Sequence, residues 1–115
     1  MVHAAFYTDK SSGSISIKLT GHAGAGERGH DVICAAASVL AYTIAQAMEY
    51  MHAEGGLRKK PRIDLGDGEA VIVAKPKADT YAEALHAFFI VQVGFSLLAH
   101  NYPQFVALQP FKLGD

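Results

Sequence analysis

From Val32 to Ala53 the chain holds neither glycine nor proline. Good helix formers fill it, among them Ala35, Ala36, Ala37, Leu40, Ala45, Ala47, Met48 and Glu49. Apolar residues cover most of the helical circumference, so the run predicts a helix buried on more than one side. Gly55-Gly56 stands where a C-terminal glycine should end it. A second run has the same character. Asp79 or Thr80 can cap it, Glu83 is near the offset of a capping box, and it continues to about His100 through Leu85, Phe88, Phe89, Ile90, Val91, Val93, Phe95, Leu97 and Leu98. Two such helices in 115 residues need a shared apolar surface to lie on.

The remaining segments supply one. Val2 to Thr8 is rich in β-branched and aromatic residues, Asp9 to Gly13 is turn material, and Ser14 to Thr20 alternates polar and apolar with period two. This pair predicts an antiparallel hairpin. Arg62–Leu65 and Ala70–Ala74 flank Gly66-Asp67-Gly68 and predict a second one. Leu57 to Pro61 is a short basic connection, and Phe105 to Leu108 can form a last strand. The expected fold is a single α+β two-layer domain of order β-β-α-β-β-α-β, with two long helices packed on a mainly antiparallel sheet.

The second helix raises the question of a membrane. Its apolar stretch, Ala84 to Ala99, is interrupted by His86, Gln92 and Ser96 and falls short of the ~20 residues a bilayer needs. A buried or subunit-contact helix is expected instead, and the excess of aromatics points to homodimer packing through the apolar helices. The net charge of −1 gives no general attraction to nucleic acid or to an anionic surface. A lone cysteine makes no internal disulfide, and the first residues lack a signal-peptide pattern, so the expected location is cytoplasmic.

Between the second strand and the first helix lies Gly21-His22-Ala23-Gly24-Ala25-Gly26-Glu27-Arg28-Gly29-His30-Asp31-Val32-Ile33-Cys34. Taken alone, Cys34 reads as a small buried hydrophobe. Its placement in the first helical turn changes that, because unpaired N–H groups and the helix dipole there favour a thiolate. His22 can fold back over the helix start through the glycines and act as base, although a histidine at a strand end is also an ordinary surface residue. Asp31 reads as an N-cap, or as the group that orients His22. Ser38, one turn beyond Cys34, shares its face and can donate a hydrogen bond there. His30 is the competing base.

Gly24, Gly26 and Gly29 also satisfy the glycine spacing of a dinucleotide-binding loop. That motif requires the helix to start inside it and an acid ~20 residues on, after a single buried strand. Here the motif ends before the helix, Asp64 lies much further along, and a hairpin precedes it. For a metal, His22, His30, Asp31 and Cys34 offer donors, but the spacing matches no common zinc site. Neither a cofactor nor a metal is expected.

Gly21-His22-Ala23, a glycine-rich gap, and Gly29-His30-Asp31-Val32-Ile33-Cys34-Ala35-Ala36-Ala37-Ser38 closely resemble the signature of the bacterial ribosomal-processing cysteine protease family, Prp. The resemblance implies a homodimeric α+β protein that uses a Cys–His dyad. It assigns the nucleophile to Cys34 and the base to His22, with Asp31 and Ser38 as supporting positions. It implies a substrate too: the N-terminal extension of a large-subunit ribosomal protein, removed by cutting after an aromatic residue. The loop through Gly21, Gly24, Gly26, Gly29 and His30 would close over that substrate. The alternative class is a non-catalytic, ribosome-associated peptide-binding or assembly module.

Overall fold

The computed structural model describes residues 1–21 and 30–112, with His30 and Asp31 given by their backbone alone. Its elements are β1 (Val2–Asp9), β2 (Ser14–Thr20), α1 (His30–Ala53), β3 (Arg62–Gly66), β4 (Glu69–Ala74), a short 3-10 turn (Ala78–Thr80), α2 (Tyr81–Asn101) and β5 (Val106–Gln109). The order is the one the sequence predicts. The strands form one sheet in the order β3-β4-β2-β1-β5, antiparallel throughout except where β5 runs parallel to β1.

Period-two alternation divides the sheet into a wet and a dry face. Val2, Ala4, Phe6, Ile15, Ile17, Ala70, Ile72 and Ala74 are buried under the helices, while Ser14, Ser16 and Lys18 turn to the other side. Both helices lie on the dry face, α1 over β4 and α2 over β2 and β5, and they pack against each other. From α1, Ile33, Ala37, Ala41, Ile44 and Met48 enter the core at helical spacing. From α2 come Ala84, Phe88, Val91 and Phe95. Phe6 sits at the centre, edge-on to Phe95 at 6.0 Å and to Phe111 at 5.3 Å between ring centroids. Gln92 is buried on α2, and its Oε1 accepts the Phe111 N–H at 2.8 Å. That bond fastens the segment after β5 to the helix layer.

Several terminal details differ from the sequence reading. Helix α1 starts at His30, two residues before the apolar run, so Asp31 lies inside the first turn and is not the capping residue. At the other end the expectation holds. The Gly55 N–H bonds to the His52 carbonyl and the Gly56 N–H to the Met51 carbonyl, with Gly55 at φ 81°, the double closure of a Schellman motif.

Thr80 does occupy the N-cap of α2, but its hydroxyl makes no cap bond and donates instead to the Gly56 carbonyl at 2.5 Å. It ties the two helix ends together. Helix α2 also runs beyond the apolar stretch at both ends, and by length and composition alone either helix could cross a bilayer. Each lays one face on the sheet. The opposite faces stay open: Val32, Val39 and Tyr50 of α1 and Ile90, Val93 and Leu97 of α2 are exposed. Helix α1 is therefore covered less fully than its composition predicts, because a two-layer fold has no third layer to close over it.

Candidate active site

The chain leaves β2 at Gly21, which has φ 90° and whose N–H bonds to the Gly68 carbonyl at 2.9 Å. A Cβ here would overlap the Met1 carbonyl oxygen, so both the dihedral and the space require glycine. This one residue joins three things: the start of β1, the end of β2 and the tip of the β3–β4 hairpin. The stretch from His22 to Gly29 lies outside the described residues. The predicted base His22 and the loop glycines Gly24, Gly26 and Gly29 fall in it, as do the side chains of His30 and Asp31 at its edge.

Cys34 is the fifth residue of α1, not part of the opening turn as the sequence reading has it. The N–H groups that a helix start leaves without an in-helix partner therefore lie before it in the chain. The thiol still leans toward them, because every Cα–Cβ bond of a helix tilts to the N-terminus. Cys34 is half-buried, packed at the margin of the core and free of any disulfide.

It opens onto a cleft of about 420 Å³. Ala37, Ser38, Ala41 and Tyr42 continue the wall along α1, and Val2, Leu19 and Ala70 form a largely apolar floor. The facing wall is Leu65 to Glu69, the end of β3 and the hairpin turn. The structure thus brings Cys34, Ser38 and Gly21 to one cavity. What the sequence left unseen is the second wall. Gly66-Asp67-Gly68 reads as a turn and nothing more, and its place opposite Cys34 depends on strand order, which no local pattern encodes. Tyr42 was equally hidden. The spacing Cys34, Ser38, Tyr42 was the available signal, each being one turn from the last. Among the described residues no three His, Cys, Asp or Glu side chains come together as a metal site would need.

The family model and the solved structures point to the same family. The family model described as cysteine protease Prp matches residues 1–107. No curated protein matches the chain. Among solved structures, SMU.848 from Streptococcus mutans is similar at 29% identity and a TM-score of 0.70, covering 97% of this chain and 96% of that one. An essential ribosomal processing protease Prp from Staphylococcus aureus, solved in complex with a substrate peptide, is similar at 21% identity and a TM-score of 0.69. Coverage there is 97% of this chain and 100% of the other. The same S. aureus protease with a covalently linked product peptide aligns at 22% identity, a TM-score of 0.66 and the same coverage.

Proposed function

The chain belongs to the cysteine protease Prp family, and from that premise we propose that it removes the N-terminal extension of a large-subunit ribosomal protein through a Cys34–His22 dyad. The observation that carries this reading is the cleft at Cys34. The only thiol of the chain stands at its wall, half-buried and just behind the unpaired amides of a helix start. The S. aureus protease supports it, having been solved with a substrate peptide and with a covalently linked product peptide.

In this mechanism His22 accepts the thiol proton and the thiolate attacks the scissile carbonyl carbon, forming the S–C bond. The oxyanion is held by N–H groups of the first turn of α1. His22 then returns the proton to the leaving amine as the C–N bond breaks, and a thioester remains on Cys34. Water, deprotonated by His22, attacks the thioester and frees both the acid and the thiol. Ser38, one turn away along the same wall, donates a hydrogen bond to the thiolate or to the substrate. Asp31 orients the imidazole. The work falls in the cytoplasm, where ribosomes are assembled.

Cys34→Ala should leave the fold in place and lower cleavage of the extension peptide by about a thousandfold or more, as loss of a nucleophile does. His22→Ala should do nearly the same, and His30→Ala should not. Rapid alkylation of Cys34 by iodoacetamide near neutral pH, slowed in His22→Ala, separates the dyad from the peptide-binding alternative, in which the thiol reacts slowly. Wild-type turnover in Cys34→Ala overturns the mechanism.

A homodimer goes with this reading. Ile90, Val93 and Leu97 form an exposed stripe on α2 at helical spacing, with Ile90 57% and Leu97 60% exposed. A stripe of that kind fits a second copy of the chain. Leu97→Glu should shift the mass measured by light scattering from two chains to one. An unchanged mass would place the interface elsewhere.

A further inference from the structure

Strand β3 is the edge of the sheet, and the helices leave its inner face uncovered. Ile63 and Leu65 point to the helical side, because they pair with Ile72 and Ala70, which are buried there. Leu65 is nevertheless 45% exposed and Ile63 only half-buried. Among the described residues no strand lies beyond β3, so alternate residues along it turn N–H and C=O groups outward. An apolar strip beside unpaired backbone groups is the surface to which an extended peptide adds as a further strand.

This strip is continuous with the cleft at Cys34. A second hollow, about 460 Å³, opens between α1 and β3, where Gln46 and Glu49 face Lys60, Pro61 and Ile63. It shares Tyr42 and Leu65 with the first, and these two side chains form a waist between them. The two walls run in opposite directions: Cys34 lies by Gly66, and Glu49 lies by Lys60. From Cys34 to Glu49 the helix advances ~22 Å, and from Lys60 to Gly66 an extended chain covers ~20 Å. The trough therefore has two walls of equal length and accommodates about six or seven extended residues.

Resting on the protease reading, we infer that the acyl half of the substrate binds as a sixth strand beside β3, entering at Lys60 and delivering its scissile bond to Cys34 beyond Gly66. The added strand runs parallel to β3. Alternate side chains face α1 and fill the hollows on either side of the Tyr42–Leu65 waist. The acyl half is the appropriate occupant because it stays attached to Cys34 through the thioester, so contacts to it act in both chemical steps. It is also the half that the mature ribosomal protein lacks. A substrate that comes and goes explains why an apolar strip is left open in the free protein.

Two synthetic peptides test this, both ending two residues past the cut, one keeping seven residues of the extension before it and the other three. Wild-type kcat/KM should favour the longer by about tenfold, the sum of a few cross-strand pairs. Four residues added on the leaving side should matter far less. N-methylation along the longer peptide should impair cleavage at every second position, those whose N–H faces β3. In Gln46→Trp, an exposed helix position that fills the far hollow, the ratio of long to short should collapse toward one while the thermal midpoint holds. Equal rates for the two peptides remove the added strand but leave the protease reading intact, and a gain only from the leaving side reverses its direction. Cleavage of neither peptide, with Cys34→Ala protein binding the longer but not the shorter in fluorescence anisotropy, keeps the groove and removes the protease.

Discussion

The two hairpins are built from the same kind of sequence, and the molecule uses them in opposite ways. In the first, β1 and β2 lie inside the sheet with a neighbour on each side, and Phe6, Ile15 and Ile17 are almost completely buried. In the second, β4 is interior but β3 is the edge, and its inward residues Ile63 and Leu65 stay partly in water. Alternation tells a strand which face is apolar; position in the sheet decides whether that face is covered. Here the covered hairpin holds the fold, and the uncovered one forms the wall opposite Cys34. Their turns differ in the same sense. Asp9 closes the first turn by bonds to its own serines, whereas the second turn is tied through the Gly68 carbonyl to Gly21, where the chain leaves β2.

The largest expected effect falls on the first hairpin. Phe6→Ala deletes a ring packed against Phe95 and Phe111 and should cost about 3–5 kcal/mol, read as a lower denaturation midpoint. Leu65→Ala, on the second, should cost about 1 kcal/mol or less, because half of its side chain is already exposed. Its effect should appear in kcat/KM for the extension peptide instead. If Leu65→Ala destabilises as strongly as Phe6→Ala, the contrast between a structural and a working hairpin is wrong. If it changes neither stability nor activity, the wall at Leu65 takes no part in binding.

How much of this the sequence disclosed follows from how local each feature is. The span of β2 matches its alternation residue for residue, and Gly55 and Gly56 end α1 through N–H bonds to carbonyls three and five residues back respectively. Such features need only near neighbours. The motif residues Cys34 and Ser38 share a cleft because one helical turn separates them. The start of α1 was less legible, since the apolar run begins only at Val32 while the helix extends back to His30, directly after Gly29. Thr80 has the chemistry of a cap, yet a carbonyl from the end of the other helix, 24 residues away, takes its hydroxyl. Longer-range still is the pairing of β1 with β5 and the exile of β3 to the edge, and with it the second wall of the site. A register between distant strands is set by the whole sheet at once.

The smallest prediction concerns the closure of the first turn. The Asp9 carboxylate accepts the Ser11 hydroxyl at 2.7 Å, the Ser11 N–H at 3.0 Å and the Ser12 hydroxyl at 3.0 Å. These bonds favour the charged form, the Ser11 hydroxyl foremost, and hold its pKa below the usual 3.8. A pKa lowered by folding means that the stabilisation is fully present above the ordinary carboxyl value and is lost as pH falls through the folded value. Ser11→Ala should therefore move the Asp9 titration, followed by NMR, back up toward 3.8 while barely shifting the denaturation midpoint at neutral pH, since the group is fully exposed. A large loss of stability would mean that this hairpin depends on its turn as well as on Phe6, Ile15 and Ile17. In that case the difference between the two hairpins would lie partly in their tips, not only in which strand ends the sheet.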